Sequence, residues 1–313
     1  MIRCTVAMVW TRPLFAAIGF ALLATACGGG DSSGFEEGAL PQWANRDLSV
    51  GRERVLVAVV GANGRRLASP DIPAVLEVAP ADDPSAVQSR DAGFTWSVPD
   101  AVGFYRAVFD FDRPGIWELT VRSKGGAALE TVLIQVQDDQ CRRPGADAPC
   151  APRVGEPAPS LATPTSGDTS LAALSSDSDP DPRLYELSLD ELIANGRTGV
   201  VIFATPAFCQ TSACGPIVDN IKPIVADYPD VDFLHIEVYT GLLDSDFVPD
   251  FNHLAPAMIE WTLATEPWVF VIDGQGSIVA RFEGVLDPSE LFPHLWSLSM
   301  GVDPTMISRL PER

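Results

Sequence analysis

Lysine and arginine are scarce: 21 of them face 42 Asp and Glu, a formal net charge of −21. That deficit removes the basic patches that nucleic acid and anionic headgroups require, so no nucleic-acid partner is expected. Histidine is scarcer still, with only His235, His253 and His294. No G-x-S-x-G elbow, Walker loop or H-E-x-x-H stretch occurs, which leaves hydrolase triads, phosphate loops and helical zinc sites without a basis. Long apolar runs are also missing. The longest leading one, residues 14–26, is too short to span a bilayer comfortably as a permanent helix. With Arg3 and Arg12 ahead of it and no acid, it reads as an export signal, which puts the body of the protein outside the cytoplasm.

What is present begins where that signal ends. In LLATACGGG the small residues Ala24, Thr25 and Ala26 precede Cys27, and the stretch resembles the lipobox of bacterial lipoproteins, with Ala24 where that box prefers Leu. The resemblance implies a signal peptide over 1–26 and lipidation of Cys27. Several acyl chains, at ~0.8 kcal/mol per buried methylene, then make a stable membrane anchor on the extracytoplasmic face. An ordinary cleaved signal and an uncleaved anchor helix are the other readings, and both also place the chain outside the cytoplasm. Cleavage leaves 19 Lys and Arg against 42 acids, a charge of −23. After Cys27, residues 28–40 form a Gly, Ser and acid run of 13 residues without apolar periodicity, so 27–41 reads as a flexible tether of roughly 20 Å root-mean-square span.

Residues 42–137 read as short strands between turn signals: RVLVAVV, AVLEVA, GFTWSV, FYRAVFDF, IWELTVRS and ALETVLIQVQ. Trp117, Leu119 and Val121 alternate with Ile116, Glu118, Thr120 and Arg122, and five or six such strands predict an antiparallel β-sandwich. GFYRAVFDFDRPGIWELTV resembles a hairpin of immunoglobulin-like domains in bacterial surface proteins. Phe104, Tyr105, Phe109, Phe111 and Trp117 are assigned to the core rather than to a ligand platform. Residues 138–183 are rich in Pro, Ser, Asp and Ala and read as a linker. In an oxidising compartment each local cysteine pair can be a disulfide. Cys141 and Cys150, in DDQCRRPGADAPCAP with nothing catalytic around them, read as a structural clip.

From 184 to 302 the pattern changes. LSLDELIANG has helical spacing, GVVIFAT is a buried strand, PIVDNIKPIVADY is helical in period, and VDFLHIEVY is a strand. A 27-residue insertion leads to Pro267, followed by WVFVID, a GQG turn, SIVARFEGV and a last helix from about Pro288 to Met300. Residues 303–313 read as a tail. This order resembles the thioredoxin fold. VGEPAP at 154–159 looks like the leading segment of membrane-tethered thioredoxin-like proteins and peroxiredoxins, VVIFATPAFC like the strand feeding a thioredoxin cysteine, and EPWVFVIDGQGSIVARFEG like the segment that starts at the fold's cis-proline. The resulting expectation is two domains, an N-terminal all-β immunoglobulin-like sandwich and a C-terminal α/β thioredoxin-like fold.

The resemblance implies that Cys209 and Cys214 exchange with protein thiols or disulfides outside the cytoplasm, Cys209 attacking and Cys214 resolving, with Pro267 orienting the partner's backbone. No cofactor is implied. The spacing departs from the family, which has two residues between its cysteines where this chain has four. Positions five apart in a regular helix lie about 140° apart around the axis and cannot bridge. Either the helix starts at Gly215–Pro216, with both cysteines in the loop ahead of it, or Pro216 kinks a helix that starts near Cys209. Nearer to a helix starting at Pro216, Cys214 is the competing candidate for nucleophile. CQTSAC also looks like the CxxxAC pair of Q-type peroxiredoxins, a thiol peroxidase. That family places Thr three residues before the attacking cysteine and an Arg before the later strand, whereas here Thr205 stands four before it and Glu266–Pro267 takes the place of the Arg. The copper set of one thioredoxin-like family needs a three-residue spacer and a particular His, and a four-residue spacer falls outside the zinc pattern, so no metal is expected. A non-catalytic binding or assembly module with a permanent Cys209–Cys214 bridge is the remaining reading.

Overall fold

A computed structural model describes residues 34–142, 146, 149–209 and 213–301, the side chain of Asp139 excepted. Residues 1–26, read as a signal, Cys27 and residues 303–313, read as a tail, lie outside the described residues. Nine strands come first: β1 (Leu40–Trp43), β2 (Leu48–Ser49), β3 (Gly51–Val60), β4 (Ala74–Pro80), β5 (Gln88–Asp91), β6 (Gly93–Val98), β7 (Val102–Phe111), β8 (Gly115–Ser123) and β9 (Val132–Gln137). They make two sheets, β1-β3-β7-β6 and β2-β9-β8-β4-β5, antiparallel except for the two-residue pairing of β2 with β9. Alternate residues face inward. Val55, Val57 and Val59 of β3 and Tyr105, Ala107, Phe109 and Phe111 of β7 meet Leu76, Val78, Trp117, Leu119, Val121, Ile134 and Val136 of the other sheet. This is a two-sheet β-sandwich. Four of the five aromatics lie in its core. Phe104, on the opposite face of β7, packs instead against the cluster of Leu56, Ala213 and Val285.

The rest of the chain supplies α1 (Leu171–Leu174), α2 (Leu189–Ala194), β10 (Thr198–Ala204), α3 (Cys214–Ile221), β11 (Val231–Glu237), α4 (Pro256–Glu260), β12 (Trp268–Ile272), β13 (Ile278–Glu283) and α5 (Phe292–Ser299). Its sheet runs β11-β10-β12-β13, with β10 and β11 parallel and the other pairs antiparallel. Both faces are covered, which is why β10 and β12 are apolar at successive positions. Val200, Ile202, Val269 and Val271 pack with α3 and α5, while Val201, Phe203, Phe270 and Ile272 pack with α2, α4 and Trp261.

The expectation of two domains, the second an α/β thioredoxin-like fold, is corrected by this architecture. The described residues form one compact unit, mostly β, with three sheets and 19% helix. One reason is local. PIVDNIKPIVADY, read as helical in period, breaks after Ile221 into a 3-10 stretch, Lys222–Asp227, whose Pro223 lacks the N–H that a continuing α-helix would use. α3 and α5 are the longest α-helices of the described residues at eight residues each. The other reason is the seam between sandwich and C-terminal sheet, where the pairs join residues more than two hundred positions apart. Arg281, its side chain only 4% exposed, pairs with Asp47 at 3.2 Å and Glu53 at 2.5 Å. Arg54 pairs with Glu290 at 2.8 Å, and buried Glu283 accepts from the backbone N–H groups of Arg46 and Asp47 and from the Thr265 hydroxyl. Burial pushes the Glu283 carboxyl above its usual range.

The segment read as a linker is packed as well. Pro157 pairs with Ser277 beside β13, Ala151 and Ala158 are buried against the C-terminal sheet, and Trp261 donates to the Pro159 carbonyl at 2.9 Å. The Cys141–Cys150 disulfide, with Cα atoms 5.4 Å apart, sits at the seam. Its Cys150 carbonyl accepts from Arg142 and from the Thr262 hydroxyl, each at 2.6 Å, and the next N–H, of Ala151, donates to Asp47.

Candidate functional site

β10 is a central strand, and its C-terminal end opens directly into the cysteine loop. The loop begins as a tight turn: the N–H groups of Phe208 and Cys209 both donate to the Thr205 carbonyl, at 3.3 and 3.1 Å. α3 then starts at Cys214 with Ala213 as its N-cap. The start lies one residue before Gly215–Pro216, so Cys209 precedes the helix and Cys214 opens it. Of the two arrangements the sequence allowed, this is close to the first, and Pro216 falls in the first turn, where its missing N–H leaves no helical bond unmade. The two cysteines are bridged, with Cα atoms 5.9 Å apart.

Their surroundings differ. Cys214 is 0% exposed and belongs to the core under α3, with Ile217, Val218 and Ile221. Cys209 is half-buried. The backbone N–H of Cys214 points back to the Cys209 sulfur at 3.4 Å. That N–H is one of the unpaired donors of the helix start, so the favourable end of the helix dipole faces Cys209 rather than Cys214.

Several parts of the chain hold this loop. On one side, Ala213 packs with Leu56 of β3, Phe104 of β7 and Val285, so the sandwich reaches the residue next to Cys214. On another, residues 175–177 act as a strap. Ser176 accepts from the Ala207 N–H at 3.1 Å, and its own N–H donates to Glu237 at 2.8 Å. Glu237 is the last residue of β11, paired in register with Ala204, the last of β10. Lys222 anchors Asp177 at 2.5 Å. Beneath the strand end, buried His235 meets the Tyr185 hydroxyl at 2.8 Å through Nδ1 and the Ala204 carbonyl at 3.1 Å through Nε2, which makes Nε2 the protonated nitrogen. Burial holds this imidazole below its ordinary pKa and the Tyr185 phenol above its own. His235 is thus a buried residue that ties Tyr185 to the end of β10.

Pro267 lies opposite the same strand end. The register Phe203↔Trp268 places it against Ala204; it is buried, and the Glu266–Pro267 peptide is cis. Burial raises the Glu266 carboxyl beside it above its ordinary value. Cys209, Cys214 and Pro267 therefore converge at one end of the sheet, whereas Cys141 and Cys150 belong to the seam and Cys27 lies outside the described residues. Thr205 is buried at the base of the loop, with its hydroxyl unpaired among the described residues. Of the other histidines, His253 contacts Asp250 in the loop 240–253, and His294 packs against Phe282. Among the described residues no group of three or more His, Cys, Asp or Glu is arranged to hold a metal ion, and no helix is long and apolar enough to cross a membrane.

The site has a wall that sequence reasoning left as an insertion. Residues 240–253 leave and rejoin the fold through the Tyr239↔Leu254 bridge, closed by Thr240 N–H to the His253 carbonyl at 2.7 Å. Gly241 turns the chain out with φ of 74°, a conformation that disfavours a Cβ. The Phe208 ring, next to Cys209, contacts Phe247 at 5.2 Å and Tyr239 at 6.3 Å, and Phe247 contacts His253 at 5.4 Å. The only sequence signal of this wall was the run of Phe and Leu between aspartates.

The sequence matches no protein-family model and none of the curated proteins. Among solved structures, the filamin domain of Lin-41 is similar at 12% identity over 33% of this chain and 96% of that one, with a TM-score of 0.23. A metagenome-derived glycoside hydrolase family 9 endoglucanase is similar at 20% identity over 31% of this chain and 18% of its own length, with a TM-score of 0.20.

Proposed function

We propose that the protein is an extracytoplasmic thiol–disulfide oxidoreductase acting through Cys209 and Cys214. One observation carries this reading: the disulfide joins half-buried Cys209, whose sulfur accepts the first N–H of a helix, to Cys214, which is closed off in the core. An incoming thiolate reaches Cys209, and Cys214 is the leaving and resolving group. A donated N–H and the helix start face Cys209 when the bond opens, which favours it as the attacking residue in the reverse direction. In this reading Pro267, at the same strand end, is the residue that orients a partner's backbone.

The reduction potential tests this. A pair used in exchange titrates above about −300 mV, whereas a value below that marks a structural bond. Complete burial of Cys214 favours the second reading, a binding module with a permanent bridge, and the same titration decides between them. The extracytoplasmic location rests on the export signal and the small residues before Cys27. Cys27→Ser should release the protein from the membrane fraction, and a variant that still pellets with membranes counts against the lipid anchor.

A further inference from the structure

We infer that the wall beside Cys209 is a docking surface for a cationic, apolar polypeptide segment that carries the cysteines exchanged with the pair. This rests on the redox reading and names its substrate class. Two independent features point to that occupant. The first is apolar surface on the loop that meets the residue before Cys209. Phe208 makes a tilted ring contact with Phe247 at 5.2 Å, and the loop of Phe247 leaves Leu243, Val248 and Phe251 exposed by 65%, 53% and 78%. Three large apolar side chains in one closed loop beside a reactive group are more than scattered exposure, and apolar side chains of a partner would cover them.

The second feature is charge. The loop carries Asp244, Asp246 and Asp250, all exposed, and no lysine or arginine. From Thr198 to Ala280 the chain has eleven Asp and Glu against one lysine, and that lysine, Lys222, is held by Asp177 and Asp219 at 2.5 and 2.8 Å. A field of one sign at a half-open sulfur draws in Lys- and Arg-bearing segments and slows anionic thiols.

In the bridged state the step balances without another reagent. A substrate thiolate attacks the Cys209 sulfur, the Cys209–Cys214 bond breaks, and Cys214 leaves as thiolate and takes a proton. The second substrate thiolate attacks the substrate sulfur of the mixed disulfide and expels Cys209 as thiolate. Two electrons pass from the substrate dithiol to the protein, and the reverse path transfers them back.

The test uses the oxidised protein and two synthetic dithiol peptides that share Phe and Leu flanks and differ in carrying Lys or Glu, with uncharged dithiothreitol as reference. The Lys peptide should react roughly tenfold faster than the Glu peptide at low ionic strength, and the ratio should shrink toward one as salt screens the loop. Asp246→Lys should cut that ratio, and Phe251→Ser should slow both peptides but not dithiothreitol. If dithiothreitol opens the pair while the two peptides react alike and neither variant matters, the docking surface is wrong and the redox reading survives. If dithiothreitol leaves the pair closed without denaturant, both fall.

Discussion

Cys141–Cys150 and Cys209–Cys214 are both short-range bridges, with sequence separations of 9 and 5. Chain entropy makes them nearly equal as staples, about 2.7 and about 2.2 kcal/mol. Their neighbourhoods separate them. The first is buried at both sulfurs, its Cys150 carbonyl doubly hydrogen-bonded and its flanking residue tied to Asp47 in the ionic seam. The second has one sulfur in the core and the other at the rim, facing a helix N–H. Two bonds of like covalent chemistry thus differ in access, and access rather than staple strength is what distinguishes them.

The seam side of this comparison breaks most readily at Arg281. Arg281→Met leaves Asp47 and Glu53 facing each other without their cation, and removing one partner of a buried ionic cluster costs about 3–5 kcal/mol. A urea unfolding midpoint lowered accordingly is the expected result, and an unchanged midpoint would mean that the seam is not what joins sandwich and sheet. A smaller effect sharpens the contrast. Replacing both Cys141 and Cys150 by Ser should cost about 2–3 kcal/mol by the same measurement and leave the exchange rate per folded molecule unaltered. A lost exchange rate in the folded variant would assign the clip a role in chemistry.

Much of the sandwich was legible because a period of two survives on a half-buried strand. Trp117, Leu119 and Val121 were read as one face, and all three are buried. The helix start was not legible to one answer: Pro216 allowed a start at Gly215–Pro216 or a kink in a helix starting near Cys209, and α3 starts at Cys214. The seam was not legible, since Arg54, Asp47, Glu53, Arg281, Glu283 and Glu290 pair across more than two hundred residues and each looks locally like a solvated charge. The strap at Ser176 was missed for a related reason. Pro, Ser and Asp composition marks a chain that makes little secondary structure, but such a chain still binds a neighbouring loop through backbone N–H groups. Reading 184–302 as a separate α/β unit failed where apolar periodicity was extended across Pro223 and where a shared ionic seam joins the two halves.

The smallest of the expected effects concerns pH at the floor of the cysteine loop. Burial depresses the His235 pKa below 6.5, so the folded protein binds fewer protons than the unfolded chain below that value. Stability is therefore complete above the unfolded pKa and is lost as pH falls through it. Tyr185, Asp177, Glu237 and Lys222 also face this imidazole, and the two acids oppose the depression that burial and the lysine cause. Unfolding midpoints compared between about pH 7.5 and about pH 5.5 should fall, and His235→Asn should flatten the dependence. A wild-type midpoint that rises on acidification would reverse the sign argued here.

The account's central claim, that access separates the two bridges, is tested most directly by alkylating the native protein after graded dithiothreitol and reading the cysteine peptides by mass. Cys209 should label first and at the lowest pH, Cys214 only slowly or after unfolding, and Cys141 and Cys150 not at all without denaturant. Labelling of Cys141 and Cys150 before Cys209, or of Cys214 at lower pH than Cys209, would contradict it.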